Sequence, residues 1–541
     1  MLKTKAIAPL FIALALALSP ALALSGCSQA KPGATSAIPA KSYGGTFVYA
    51  LAQDITNLAP VLAQDAASTT VSYQIHEGLT RYEGNYKIVG ALASSWEVSQ
   101  DGKTWTFRLR DKVKWHDGHP FTSADVKFTY EKLLDPATKS PRRKSYAFIK
   151  DIQTPDPLTV RFVLSEPHGP FLDKATLGIM AKHHFDQVGN LDKYNQSPLG
   201  TGPFKFKEWV PDERLVLEAN TSYWLGRPYL DKVIFKPVPE ASARVTALKK
   251  GEVHYVWGIS PDEFRKIEGS DHLELFRVPA LSFAYLALNN QNSLFRDVRV
   301  KEAFLRAIDR PAVIRDALGG FAVVAAGPYS PVNEYYYNGA VKRFAYDPDA
   351  ARKSLDEAGY KPGRDQIRQI GTTSLAKRLE FTAIVRSGDE TWKTIAMMCQ
   401  KWFLDIGVKM NIEYVDWTTL NRRLDERSYE AAMLSFSPGP DPDQFNLWHS
   451  SAVDGGYNDW RYVNPDVDKL LEQGRKESEP TKRRLVYAKI QEILAQDVAT
   501  IWLYHPQVLS AMDTKFKGMA AEPMGQDRYL YKVYEAKAAT K

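Results

Sequence analysis

WEVSQDGKTWTFRLRDKVKWHDGHPFTSADV, residues 96–126, sets the frame for the rest of the chain. Trp105, Phe107 and Leu109 alternate with polar residues, the period of a strand buried on one face. Before them, Asp101-Gly102 supplies the positive-φ position of a tight turn, so Glu97–Leu109 is predicted to be a hairpin. His116-Asp117-Gly118 makes a second turn. Thr122-Ser123-Ala124-Asp125 then opens a helix in the manner of a capping box, with Asp where Glu is usual. Locally this is an α/β segment punctuated by turns.

Similar patterns extend outward. Gly44-Gly45 leads into a strand at Thr46–Leu51, and Val160, Phe162 and Leu164 alternate in another. A helix is predicted where Val300, Ala303, Phe304, Ala307 and Ile308 share one face, and that face is core. Lys353–Tyr360 reads as a helix ending at Gly359. Helix, glycine and strand recur through Ile395–Gly407 and Val408–Tyr414, and Lys482–Val498 is again helical by its spacing. The class is mixed α/β, without an internal repeat. At 541 residues, more than one core is required.

Composition narrows the possibilities. Hydrophobic residues make up 44% and charged residues 25%, as in an ordinary globular protein. The formal charge is +7, with basic residues scattered apart from Lys139–Lys144 (KSPRRK), so a nucleic-acid partner is a poor inference. Lys3 and Lys5 precede an apolar run from Ala6 to Leu24, then Leu24-Ser25-Gly26-Cys27. This is the order of a secretory leader (residues 1–27) with a lipobox, in which Cys27 is lipidated and becomes the first mature residue. Residues 28–43, rich in Ala, Ser, Pro and Gly, read as a flexible tether. The remaining cysteine, Cys399, then has no intrachain partner, so neither a disulfide framework nor a cysteine-based metal site is expected.

No enzyme motif emerges: there is no Gly-x-Ser-x-Gly elbow, His-Glu-x-x-His pair, Walker loop or Cys-x-x-Cys. Gly200-Thr201-Gly202-Pro203 is not a phosphate loop, because Pro203 removes an amide donor and no Lys-Ser/Thr pair follows. His116/His119 and His183-His184 read as turn and surface residues rather than metal ligands. No cofactor is expected.

The ordered residues of 96–126, with Gly200–Phe204, Asn220–Asp231 (NTSYWLGRPYLD) and Leu286–Arg310, closely resemble the family 5 extracellular solute-binding proteins, the peptide- and nickel-binding receptors of ABC importers. The resemblance covers essentially all of residues 44–535. It implies a two-lobed periplasmic-binding-protein fold of type II, in the large peptide-binder cluster, with an extra domain. Lobe I is expected to comprise 44–76, 204–293 and 505–541, a small domain on its side 77–203, and lobe II 294–504. The implied function is capture of an oligopeptide or peptide-like solute between closing lobes, for delivery to permease subunits, by a monomer held at the cell envelope through its lipid. Nickel or another metal chelate, haem, glutathione or an oligosaccharide are alternative solutes; an exported hydrolase is the alternative of another class.

The resemblance also implies site residues. Trp417 matches a cleft tryptophan and Arg423 a basic pocket residue. Leu434-Ser435-Phe436-Ser437 resembles the strand that pairs with peptide backbone, by the logic of strand addition. Gln64, Asp65 and Ala66 match a loop that meets peptide from the other side, and Tyr504 a cleft tyrosine. Arg142 stands where relatives place an aromatic residue, and with Arg143 could accept a carboxylate. The Asp that anchors a peptide's ammonium in relatives falls near Pro438, which has no charge. Either Asp441 or Asp443 takes its place, or the ligand lacks a free amine.

Overall fold

The computed structural model describes residues 42–84, 86–371, 376–520 and 526–536. Cys27, the leader, the tether through residue 41, and residues 537–541 expected in lobe I lie outside the described residues.

The hairpin forms as read: Ala93–Val98 pairs antiparallel with Thr104–Leu109. Gly102 takes φ 70°, and its N–H donates to the Ser99 carbonyl at 2.8 Å. The Asp101 carboxylate accepts from the Ser99 hydroxyl at 2.5 Å and the Lys103 N–H at 3.1 Å. Thr159–Leu164 and then Ile149–Asp156 extend this into a four-stranded antiparallel sheet. Trp105, Phe107, Val160 and Phe162 are buried in one core with helix Ser123–Leu134; Tyr130 of that helix meets the Phe162 ring edge-on at 4.9 Å.

Asp125 explains the departure from the usual capping glutamate. Its carboxylate accepts the Thr122 N–H at 3.0 Å, so it caps the helix, and also takes the Lys182 N–H at 3.0 Å and the Trp115 indole N–H at 3.4 Å. It is a buried hub as well as a cap. Nearby, His116 receives the Gly200 N–H on one ring nitrogen and contacts the Gly202 carbonyl at 2.9 Å through the other. The 96–126 stretch thus fastens the small domain to the chain's return segment.

The main sheet has twelve strands. Its first half runs Lys409–Val415, Glu380–Arg386, Ala431–Phe436 and Phe283–Leu288; the second runs Tyr255–Trp257, Thr46–Leu51, Lys232–Pro237, Arg214–Ala219 and Phe204–Val210. Ile501–Asp513 joins the halves. Its first residues pair with Phe283–Leu288, and its later ones with Tyr255–Trp257 and Leu273–Pro279. Phe283–Leu288, assigned by resemblance to lobe I, pairs with Ala431–Phe436 and buries Leu286 and Leu288 in the core of Phe304, Phe381 and Phe403. Phe283–Leu288 thus packs with the strands and helices that follow residue 294.

That core also holds Val300, Ala303, Ala307 and Ile308, as their spacing requires, and Cys399, whose thiol burial pushes up to about 12. The helix read over Lys353–Tyr360 begins earlier, at Pro348. Asp347 caps it by accepting the Ala350 N–H at 2.8 Å, and proline at the first helical position needs no hydrogen bond.

Candidate functional site

Glu380–Arg386, Lys409–Val415 and Ala431–Phe436 run parallel to one another. Their carboxyl ends, where open α/β sheets characteristically bind ligands, therefore gather at one edge. Arg386, Trp417 and Ser437 leave the sheet there. Trp417 begins helix Trp417–Asp425, just after its cap Asp416, and the Arg386 guanidinium lies 5.3 Å from its ring centroid. The ladder from Glu380–Arg386 to Ala431–Phe436 covers only Ala431 and Ala432. Beyond Ala432 this side of the strand has no strand partner among the described residues. Leu434 is buried, Ser435 exposed and Phe436 half-buried. On the other side, Ser435 and Tyr504 flank Ala284 across neighbouring strands.

Between this edge and the small domain lies a cavity of about 910 Å³. Lobe II contributes Phe436, Ser437, Asp441, Asp443, Phe445 and Tyr457; the small domain contributes Phe148, His168, Asp173 and Lys174. A second cavity, about 840 Å³, has a more aromatic wall of Tyr82, Tyr86, Trp96, Tyr335 and Tyr336, with Arg483 and Arg484. Both fall within the range of about 300–1,000 Å³ usual for small-molecule sites. Asp173, Pro440 and Asp441 border both.

Gly169 marks the place where the small domain touches lobe II. Its N–H donates to the Arg475 carbonyl at 2.6 Å, and a Cβ there would lie 2.2 Å from the Glu477 carbonyl oxygen. Glycine is needed because the two backbones come within hydrogen-bonding distance. Behind this contact, Arg483 donates to both oxygens of Asp441 at 2.6 Å and to the Gly474 carbonyl at 3.0 Å. Burial pushes the Asp441 carboxyl up, but the Arg483 guanidinium outweighs it and holds the group below its ordinary value. Asp443 accepts from the Arg475 Nε at 2.8 Å, and the same guanidinium covers the Phe445 ring at 3.9 Å. Both carboxylates near Pro438 already carry an arginine. The His168 ring stacks on Phe148 at 3.9 Å; burial, then the Lys174 ammonium, push its pKa down to about 4.

The remaining residues lie elsewhere. Asp65 caps helix Ala66–Ile75 by accepting the Ser68 N–H at 2.8 Å and also takes the Thr56 hydroxyl at 2.6 Å. Arg142 donates to the Ala63 carbonyl through Nε at 3.1 Å and Nη2 at 2.6 Å, so it is anchored beside the Gln64–Ala66 loop. Arg423 pairs with Glu413 at 2.6 Å and donates to the Ser428 carbonyl at 2.9 Å. Tyr504 is buried, its ring 6.4 Å from Trp392. Of the residues singled out from the sequence, Phe436, Ser437, Asp441 and Asp443 line the larger cavity, whereas Trp417, Arg423, Arg142, Tyr504 and Gln64–Ala66 line neither. His168, Gly169, Arg475 and Arg483 escaped the sequence reading. The one available signal was Pro167-His168-Gly169-Pro170, a glycine fixed between prolines.

Residues 87–458, well over half of the chain, match the family described as "Bacterial extracellular solute-binding proteins, family 5 Middle". The oligopeptide-binding protein AppA of Bacillus subtilis is 30% identical over 518 residues, covering 93% of this chain and 94% of AppA. A solved structure of B. subtilis AppA in complex with a nonapeptide superposes with a TM-score of 0.66 at 29% identity, covering 92% of this chain and 100% of that one. NikZ from Campylobacter jejuni, solved in complex with Ni(L-His), gives 0.69 at 26% identity, covering 91% and 99%. With two lobes joined through one long sheet and a cavity between lobe II and the small domain, the chain belongs to the family 5 extracellular solute-binding proteins, which are binding receptors and not enzymes.

Proposed function

We propose that the protein captures an oligopeptide or peptide-like solute between its lobes and presents it to the permease of an ABC importer. The observation that carries this reading is the free side of Ala431–Phe436 beyond Ala432. A peptide laid there adds as a strand, satisfying its backbone without regard to sequence, while the adjoining cavity takes its side chains. That the relatives include an AppA holding a nonapeptide supports it. The segments Pro279–Phe283 and Tyr504–Gln507, which cross between the halves of the sheet, serve as the hinge. Closure excludes water and strengthens each polar contact. Phe436 and Ser437 form part of the lobe II wall, and Ser435 and Trp417 extend the contact along the free strand edge beside it.

A pool of short synthetic peptides should raise the melting temperature, and intact peptides should be recovered when the complex is unfolded. No shift, or recovery of cleaved peptides, contradicts the reading. A second reading, a metal chelate, draws on the NikZ relative and on His168, whose buried Nε2 has no hydrogen-bond partner within the cavity wall.

The monomer is held at the outer side of a membrane by lipid on Cys27, with residues 28–43 as tether. The sequence order at 1–27 supports this, and no helix among the described residues is long and apolar enough to cross a membrane. Cys27→Ser should move the protein from the membrane to the soluble fraction; an unchanged membrane fraction contradicts lipid anchoring.

A further inference from the structure

His116, His119, His183 and His184 stand in the sequence as two close pairs, and the fold divides them differently. His116 and His184 are taken up by backbone: His116 contacts the Gly202 carbonyl at 2.9 Å, and His184 the Ser197 carbonyl at 2.7 Å. His119 and His183 instead converge on one carboxylate. Asp117 Oδ2 lies 2.8 Å from His183 Nε2 and 3.1 Å from His119 Nδ1. The two imidazole rings stack with centroids 4.3 Å apart. All three donor atoms lie within 4.8 Å of one another.

We propose that Asp117, His119 and His183 bind a divalent first-row transition-metal ion of the Zn(II) type on the small domain, apart from the solute cavity. Two imidazoles and one carboxylate suit such ions, whereas Mg(II) and Ca(II) prefer all-oxygen sets. Bonds of about 2.0–2.2 Å to tetrahedral zinc place its ligands about 3.4 Å apart. The two oxygen–nitrogen spacings are already close to this, so side-chain rotation at His119 completes the site. His119 is the most exposed of the three and free to make that adjustment.

The walls are held in place beforehand. Trp115 donates its N–H to the His119 carbonyl at 2.9 Å, and Gly118, at φ 95°, donates to the Trp115 carbonyl at 2.8 Å, so the 115–119 turn is fixed. Asp125 accepts the Lys182 N–H, which sets the residue next to His183, and the His183 ring packs edge-on to Trp115 at 6.2 Å. Asp117 Oδ1 accepts the His119 N–H at 3.1 Å, which orients Oδ2 toward the two rings. The neighbouring Lys182 ammonium is turned to Asp186 at 2.6 Å and does not occupy the carboxylate. On binding, each histidine must carry its remaining proton on the nitrogen that faces away from the metal. Two protein nitrogens and one oxygen leave the outer positions to water.

The test is calorimetric titration of the full chain in detergent with Zn(II), alongside His119→Ala, His183→Gln and His184→Gln. One equivalent of Zn(II) should bind, His119→Ala and His183→Gln should each weaken it at least tenfold, and His184→Gln should leave it unchanged. Co(II) in place of Zn(II) should give visible absorption bands that His119→Ala abolishes. His119 is exposed, so its variant reports the site without threatening the fold. The proposal is overturned if Zn(II) does not bind, or if binding is unchanged in His119→Ala and His183→Gln. Zinc binding that is lost in His168→Ala but kept in His119→Ala places the ion in the solute cavity and equally overturns it.

Discussion

Trp417 is 56% exposed, yet it stands where three parallel strands end. Truncating so exposed a ring removes little buried surface, so Trp417→Ala should move the melting temperature hardly at all. Aromatic anchors carry a disproportionate share of binding energy, commonly about 2 kcal/mol or more. Peptide affinity measured by calorimetry should therefore fall at least tenfold; an unchanged Kd removes Trp417 from the site. Arg483 presents the opposite case. It is buried against Asp441, and removing one member of such a pair strands the other charge, at a cost of about 3–5 kcal/mol. Arg483→Met should show that loss in denaturant unfolding, whereas a change below about 1 kcal/mol would mean the pair is solvated. At this scale the sequence was least legible. Asp441 and Asp443 read as free carboxylates because their arginines lie 42 and 32 residues away, beyond any local pattern. Arg142 read as open to ligand for the same reason, its Ala63 acceptor lying 79 residues away, whereas Arg423 is taken up by the nearby Glu413 and Ser428.

Elements were far more legible, because their signals are local. The 93–109 hairpin follows from a two-residue period and an Asp-Gly turn, and the helix at Ser123–Leu134 from its cap. What periodicity could not supply was pairing. Phe283–Leu288 is buried along its whole length, so it has no alternation to show which lobe owns it. The long strand Ile501–Asp513 belongs to both halves and carries a pH dependence. His505, next to the crossing at Pro506, is buried and contacts the Ser282 carbonyl at 3.0 Å. Burial holds its pKa down to about 4 from an ordinary 6.5, with the Ser282 carbonyl opposing. Above 6.5 the histidine is neutral whether folded or not. As pH falls toward 4 the unfolded chain takes up the proton first, so stability is lost across that window. His116 behaves alike at about 4, and His76 further down at about 3. The melting temperature should fall from pH 6.5 to 4, and His505→Gln should flatten the slope. A profile with the same slope in His505→Gln would contradict the assignment.

For the whole molecule, the resemblance carried the two-lobed architecture, and the structure adds how the small domain meets lobe II. Any side chain at residue 169 meets the Glu477 carbonyl, so Gly169→Ala should hold the lobes slightly apart. Solution scattering should show a larger radius of gyration, and solute affinity should drop. Unchanged scattering and affinity would mean that the Gly169–Arg475 contact plays no part in closing. Division of the space into two cavities on either side of this contact could not be foreseen from sequence, since it depends on segments some 300 residues apart approaching within 2.6 Å.

The central claim, capture of peptide-like solutes without chemistry, is tested most directly by native mass spectrometry of protein lacking residues 1–27 and purified without denaturation. A family of added masses that fragment as intact peptides is the predicted result. A single non-peptide mass, or a metal chelate, retained by the protein would contradict it.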